Sequence, residues 1–387
     1  MLKIVHAADI HAGRPLSLEL DKERGYIRRR EIETVLWRTV EFVREEKAGI
    51  FLIAGDLFEH LYTRPSWVKD VSSLFATIPE TRIFISPGNH DPYLPDSLYR
   101  SIEWPDNVTI FSSAMPRKVC LDDLGVDIYG LGWPSFTERG RPLEGFRTDN
   151  PDRLNIVLVH GDLAEKSAYL PVHYTDIENS GADYFAMGHI HTPMIKNIGE
   201  SIVVYPGCPE PLDFGDEGQR GICLVTWPGT NSNGVPRTVA EFVPMASREV
   251  KRAEVDVTGI DTGERIRNAI LSVASPEIRK KDMWKIVLTG RLDLDLALDL
   301  DMLEGEFRDD FFCLRLAAEF IPDYDLGPLM EPSNQSLEAR FVRRQIEIER
   351  NSRRDGDARV ARVARLAMYY GLDALRQGEV FTGRRMA

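Results

Sequence analysis

The sequence predicts an α/β layered domain, followed by a smaller α/β unit and a helical tail. Three observations predict this. Over the first half of the chain, short apolar runs alternate with helical patterns. Near residues 245–250 the character changes, and a strand, helix, strand, helix, strand succession fits a small separate unit. From Ser333 onward the composition turns basic, with twelve Arg against seven Asp or Glu. The boundaries read 1–248, 249–330 and 331–387, in keeping with roughly 100–200 residues per domain for most of the chain.

The elements follow in order. Residues 2–8 (LKIVHAA) are an apolar run that stops at Asp9. Ile32, Val35, Leu36, Val40 and Val43 recur at helical spacing and predict a helix over 26–47, with Gly49 as its stop. Residues 50–56 (IFLIAGD) read as a buried strand, 66–78 as a helix and 82–86 as a strand. Further strands are expected at 126–132, 154–159, 184–187, 201–205, 221–227 and 238–243. In the small unit the strands are 250–257, 284–292 and 311–319, separated by helical stretches. The tail predicts helices at about 335–350 and 358–377, with NSRRDGD (351–357) as the break. The pair either packs on its own unit or docks a partner, a coiled coil among the choices.

Composition narrows the function. Hydrophobic residues make up 43% and charged residues 28%, an ordinary globular balance. The formal charge is -13, or +5 in the tail and -18 in the remainder, which excludes a nucleic-acid coat protein working by bulk charge. Nothing approaches the roughly 18–20 apolar residues of a membrane span, and the N-terminus lacks the pattern of a secretory signal. Cys120, Cys208, Cys223 and Cys313 are scattered without a CxxC pair. They read as reduced thiols of a cytoplasmic protein, outside any metal site.

Five short motifs each close a predicted strand: Asp9-Ile10-His11, Gly55-Asp56, Gly88-Asn89-His90-Asp91, His160-Gly161-Asp162 and Gly188-His189-Ile190-His191. Ligands collect at the carboxyl ends of strands in layered α/β folds, so these groups can converge. Imidazole, carboxylate and amide oxygen suit two divalent first-row cations. Two such ions need a bridge, and Asp56 is the natural one because each carboxylate oxygen can bind one ion and Gly55 lets the chain turn beside it. The pair would activate water and clamp phosphate oxygens.

The set D-x-H, GD, GNHD, H and GHxH resembles the calcineurin-like metallophosphoesterase superfamily. GDLFE followed by RPS, DY-x-x-x-GHIHTP, and YPG-x-PEP-x-x-FG-x-E-x-x-x-G resemble the SbcD-type DNA repair nuclease branch, and within it the YhaO-like bacterial proteins. The catalytic resemblance covers about residues 1–245; the small unit and the tail match the family's capping domain and partner-binding helices more weakly. The resemblance implies a four-layer α-β-β-α sandwich. It implies one metal held by Asp9, His11, Asp56 and His191, and a second held by Asp56, Asn89, His160 and His189. His90 would contact the phosphate and either stabilise the transition state or protonate the leaving oxygen, and Asp91 would orient His90. Manganese is the expected metal, with iron, zinc or magnesium as alternatives.

One position departs from the pattern. Several nucleases of the family carry a second catalytic His directly after GDLF; here Glu59 stands there and His60 follows. Glu59 either supports the site or tunes its metal, and His60 either substitutes or lies at the surface. Among the other candidates, His6 reads as a hydrogen-bonded core residue and His173 as a loop residue. Arg14 either meets a phosphate or forms a salt bridge, and Tyr93 can line the cleft.

The expected function is therefore phosphodiester hydrolysis at DNA ends, sequence-independent, with an SbcC-like coiled-coil ATPase on the tail and a homodimer through the catalytic domains. The alternatives are a phosphoesterase for nucleotides or other small phosphodiesters, and a metal-binding scaffold without turnover.

Overall fold

In the computed structural model, residues 1–16, 20–229, 238–293, 296 and 298–377 are described. The chain divides into two compact units, Met1–Val250 and Lys251–Ala387. The elements of the first are β1 (Leu2–Ala7), α1 (Lys22–Glu46), β2 (Ile50–Ala54), α2 (Pro65–Phe75), β3 (Arg82–Ser86), β4 (Val108–Ile110), β5 (Arg117–Leu121), β6 (Val126–Gly130), β7 (Leu154–His160), α3 (Tyr174–Glu178), β8 (Tyr184–Gly188), β9 (Met194–Ile198), β10 (Ser201–Tyr205), β11 (Gly221–Trp227) and β12 (Val239–Pro244).

They build two mixed sheets, in the orders β12-β11-β1-β2-β3-β4 and β5-β6-β7-β8-β10-β9. The inner strands of each run parallel, and the strands that pair antiparallel lie toward the edges. Side chains alternate between faces along a strand, and both faces of β1 and β2 are covered, so β2 is apolar throughout and β1 mostly so. Ile4, Leu52 and Ala54 face a core shared with Ile128, Ile156, Leu158 and Ala186 of the second sheet. Val5, Phe51 and Ile53 face the opposite way, into a second core with Val35, Leu36, Val40 and Val43 of α1 and Val68, Val71 and Phe75 of α2.

The outer face of the second sheet differs from the expected helix layer. Val157, Val159, Phe185, Met187 and Val203 are covered by Leu143, Leu170, Val172 and Ile177, which lie in loops and in the five-residue α3. The β6–β7 connection is SFTERGRPLEGFRTDNPDR for most of its length. Its Gly, Pro, Asn and Asp residues favour turns over helix, so the fourth layer is mostly loop.

Helix α1 begins earlier than its apolar spacing predicts, because Asp21 caps it and accepts the Arg24 N–H at 2.9 Å. Its first turns carry a buried charge network. Arg28 is fully buried; it pairs with Glu31, donates to Glu210 at 3.2 Å and to the Pro211 carbonyl at 2.6 Å. Glu210 also takes Arg38 at 2.6 Å and the Ser247 N–H at 2.6 Å. This ties the PGCPEP loop to α1.

The second unit contains β13 (Val250–Asp256), α4 (Gly263–Leu271), α5 (Pro276–Lys281), β14 (Met283–Thr289), β15 (Arg291–Leu292), α6 (Leu300–Glu306), β16 (Cys313–Ala318), β17 (Ile321–Pro322), α7 (Gly327–Met330), α8 (Leu337–Arg354) and α9 (Ala358–Gln377). The first strand starts at the boundary residue itself. β13, β14 and β16 form one sheet and β15 pairs with β17. Ile266, Ile270, Leu303 and Phe307 pack on the sheet residues Trp284, Ile286 and Leu288. A separate core joins Tyr324, Leu329, Ala339, Val342, Met368, Tyr369 and Leu372. The small α/β part and the helical pair, read from sequence as two domains, thus fall in one unit with two apolar cores. Residues 378–387 of the expected tail lie outside the described residues. No helix of the described residues is long and apolar enough to cross a membrane.

Removing one partner of a buried ion pair leaves the other charge uncompensated. Glu210→Ala is therefore expected to lower the unfolding free energy by about 3–5 kcal/mol, measured by urea denaturation. A loss within about 0.5 kcal/mol would show that the network contributes nothing to stability.

Candidate metal centre

The five motifs meet where the parallel strands of both sheets end. The loops after β1 and β2 are stitched together: the N–H groups of Asp9, His11 and Ala12 donate to the carbonyls of Gly55, Asp56 and Leu57 at 3.0, 2.8 and 3.1 Å. Four site residues, Asp9, His11, Asp56 and His189, have φ of 53, 50, 51 and 98°. Left-handed backbone is unfavourable for side-chain-bearing residues and concentrates at functional sites. Two glycines make room. A Cβ on Gly55, at φ 86°, would lie 2.2 Å from His160 Nδ1, and one on Gly88 would lie 2.2 Å from Asp56 Oδ1.

Asp9, His11 and His191 offer one ligand atom each within 4.8 Å of one another, and so do Asp9, Asp56 and His160. Asp56 Oδ2 lies between two imidazoles, 3.6 Å from His11 Nε2 and 3.3 Å from His160 Nε2. Asn89 Oδ1 is 3.0 Å from His160 Nε2. The His189 ring meets the His160 ring edge-on at 5.3 Å, and its backbone N–H donates to both oxygens of Asp9 at 3.1 Å. The seven expected ligands therefore surround one basin.

The donor set fits divalent cations. His160 Nδ1 donates to the Ala54 carbonyl at 2.9 Å, so its Nε2 faces two acceptor oxygens, and a proton or a cation must stand between them. His11 Nδ1 donates to Glu59 Oε1 at 2.9 Å, and its buried Nε2 has no hydrogen-bond partner.

Charges within the basin are mutually compensated. Burial alone would raise the Asp56 carboxyl, but His160 and His11 hold it far below the usual carboxylate range. Burial likewise opposes charge on His160, yet Asp56 pushes it up to about 9. His189 goes the other way, down to about 3, through burial and the nearby His160. Burial lifts Asp9 above its ordinary value despite the histidines around it.

Asp91 does not orient His90. Its oxygens accept the N–H groups of Gly88, Leu57, Phe58 and Asp56 at 2.7, 2.8, 3.1 and 3.2 Å, and the Tyr99 hydroxyl at 2.5 Å. Full burial makes it a hub that joins the GDLF and GNHD loops. The partner of His90 Nδ1 is Glu59, through Oε2 at 2.9 Å, and that bond raises the His90 pKa against the effect of burial. His60 is half-buried, with its ring 6.0 Å from that of Phe136 and Nε2 3.9 Å from Asp96. Arg14 lies 3.8 Å from the Asp213 carboxylate. His6 is a core residue paired with the Tyr184 hydroxyl at 2.9 Å. His173 caps α3 and donates to the Glu165 carbonyl at 2.9 Å. The Tyr93 ring stacks under the Arg100 guanidinium at 4.5 Å.

Other contributors carried no separate signal. Asp216 stands 3.5 Å from His191 Nδ1 and accepts the Leu212 N–H at 2.8 Å; it belongs to the FGDE motif but nothing marked its partner. Tyr169 lies across His189, with ring centroids 4.9 Å apart. Cys208, expected outside any metal site, comes within ligand-cluster distance of His191 and Asp216. Burial raises its thiol well above the ordinary value.

Residues 2–193 match the family described as calcineurin-like phosphoesterase, and the chain belongs to that family, whose members bind two metal ions. It is similar to the uncharacterized metallophosphoesterase YhaO of Bacillus subtilis, 28% identical over 234 residues, or 58% of this chain and 57% of that one. It is also similar to two proteins named DNA double-strand break repair protein Mre11. The one from Methanopyrus kandleri is 27% identical over 298 residues, 70% of this chain and 62% of that one. The one from Aeropyrum pernix is 28% identical over 291 residues, 70% of this chain and 66% of that one. Each similarity thus spans less than two thirds of the relative's own length.

Cation binding at His160 must expel the proton that Asp56 stabilises there. Its pKa of about 9 means that affinity rises with pH up to that value and falls on acidification. Titration of Mn²⁺ at pH about 7.5, in buffers of different ionisation enthalpy, should show at least one proton released. Buffer-independent heats would remove His160 from the ligand set.

Proposed function

We propose that the chain is a metal-dependent phosphodiesterase acting on DNA ends, the nuclease subunit of an SbcC/SbcD-like repair complex. The observation that carries this reading is Asp56 set between His11 and His160 with His90 beside them. Asp9, His11, Asp56 and His191 would hold one cation, and Asp56, Asn89, His160 and His189 the other. When bound, two divalent cations, manganese first among them, supply a water of lowered pKa and neutralise phosphate oxygens.

The chain's own residues do the rest. Asp56 accepts the His90 N–H at 2.8 Å, which fixes the GNHD loop against the basin. The His90 side chain is 40% exposed, whereas those of His11 and His160 are buried. Glu59 holds its Nδ1, which leaves Nε2 for the substrate. As the bond from phosphorus to the leaving oxygen breaks, Nε2–H passes its proton to that oxygen.

DNA as the substrate is supported by a cleft of about 430 Å³ lined by Gly13, Tyr26, Arg29, Arg30, Tyr62 and Arg64 among others. Gly13 is two residues from His11, and Tyr26 and Tyr62 are 60% and 58% exposed. Exposed aromatics beside arginines suit stacked bases and phosphates. The two relatives named as double-strand break repair proteins support the same reading. For the partner, α9 exposes Val360, Val363 and Leu375 in a segment rich in arginine, which suits an SbcC-like coiled-coil ATPase. Homodimer formation rests on the family resemblance alone. A second reading, hydrolysis of small phosphodiesters, is favoured by the total charge of -13 and by the Glu59 carboxylate next to His90.

Metal-stripped protein reloaded with Mn²⁺ should cleave end-labelled linear DNA, and His90→Ala should lose about 100-fold or more. Replacing Arg29, Arg30 and Arg64 by Ala should weaken DNA binding and flatten its salt dependence without touching a small chromogenic diester. Turnover of the small diester alone would select the second reading. Turnover of neither by metal-loaded protein would leave a binding scaffold.

A further inference from the structure

Glu59 occupies the position at which the sequence departs from the family's pattern. It is 7% exposed, so both oxygens must find partners inside the protein. Oε1 accepts from His11 Nδ1 and Oε2 from His90 Nδ1, each at 2.9 Å. The two rings stand 4.7 Å apart at 79°. The backbone of Glu59 is itself anchored. Its N–H donates to the Ala12 carbonyl at 2.9 Å and reaches Thr63 Oγ1 at 3.0 Å. Its carbonyl accepts the N–H groups of Tyr62 and Thr63 at 2.9 and 2.8 Å, and the next residue, His60, donates to the His90 carbonyl at 2.9 Å.

We propose that Glu59 is the positioning residue that sets both histidines of the reaction, fixing through one carboxylate the tautomer and ring direction of His11 and of His90. An ionised carboxylate only accepts, so each Nδ1 must carry its hydrogen. In His11 that leaves the lone pair on the buried, unpartnered Nε2, the atom a cation needs. In His90, which must be protonated on both nitrogens to act as the acid, it turns Nε2–H toward the substrate. Both carboxylate oxygens are taken up by the two rings, so Glu59 braces the expected metal ligand His11 and the acid His90 together.

Glutamine separates this role from packing. It has nearly the same shape as glutamate but offers one acceptor and one donor, so it can satisfy only one of the two Nδ1–H groups. Long-range ¹H–¹⁵N spectra of the imidazole rings, recorded on the metal-free full chain, read the tautomers directly. In the parent protein His11 and His90 should both show a protonated Nδ1. In Glu59→Gln one of the two should switch to the Nε2–H form, and in Glu59→Ala both rings should show exchange between tautomers. Unchanged ring spectra in both variants, with the fold intact by far-UV circular dichroism, would overturn the proposal.

A second arm uses activity and rests on the phosphoesterase reading. With Mn²⁺ loaded, Glu59→Gln should lose about 100-fold on a diester with an alkyl leaving group, which needs the acid. It should lose far less on the 4-nitrophenyl diester, which does not. Equal losses on both, where the spectra show His90 as the ring that switched, would reduce Glu59 to a structural residue. If the parent protein turned over neither diester, the functional reading would fail while the tautomer result still stood or fell alone.

Discussion

Asp56 is a buried carboxylate that stays charged, and much of the active basin follows from that. A lone anion in such surroundings is costly. Here His160 and His11 approach it from two sides at 3.3 and 3.6 Å, and the His90 N–H approaches from a third at 2.8 Å. The reciprocal effect raises His160 to about 9. A divalent cation would take the place of the imidazolium proton on His160, because the groups that stabilise that proton are groups that would surround a metal. The site is in this sense organised before any ion enters.

Holding these groups at strand ends has a conformational cost that the surrounding loops offset. Asp9, His11, Asp56 and His189 adopt left-handed backbone, at about 1–3 kcal/mol each by general experience. Asp91 is the counterweight: one buried side chain receives four backbone N–H groups from two loops and the Tyr99 hydroxyl. Gly55 and Gly88 provide the close approach that any Cβ would block. The residue expected to serve His90 serves the backbone instead, and Glu59 takes the place it vacates.

What could be read in the sequence divides along the same line. Asp9, His11, Asp56, Asn89, His160, His189 and His191 were legible because strand ends in a layered sheet converge by topology, and each motif closes an apolar run. The helix at about 358–377 was legible because its apolar spacing marks a face and the NSRRDGD break before it marks the start. β5 and β9 were not legible. They are edge strands with exposed residues such as Arg117, Lys118, Ile195 and Lys196, so no apolar run marks them. Hydrogen-bond partners escaped for a different reason. Whether His90 meets Asp91 or Glu59 depends on how two loops cross in space, and adjacency in sequence pointed to the wrong carboxylate. Asp216 beside His191 is the same case across twenty-five positions.

The net charge of -13 also looks different once the fold is known. Acidic residues repel a polyanion at long range, but salt screens such repulsion over about 8–10 Å, so contact is decided by what lies within that distance of the basin. The cleft lined by Gly13 carries Arg29, Arg30 and Arg64 against the half-buried Glu33, which Arg64 approaches at 3.7 Å. Two bound cations would add four positive charges to a basin whose carboxylates include Asp9, Asp56, Glu59, Asp91 and Asp216, so the total of -13 does not by itself set the balance there.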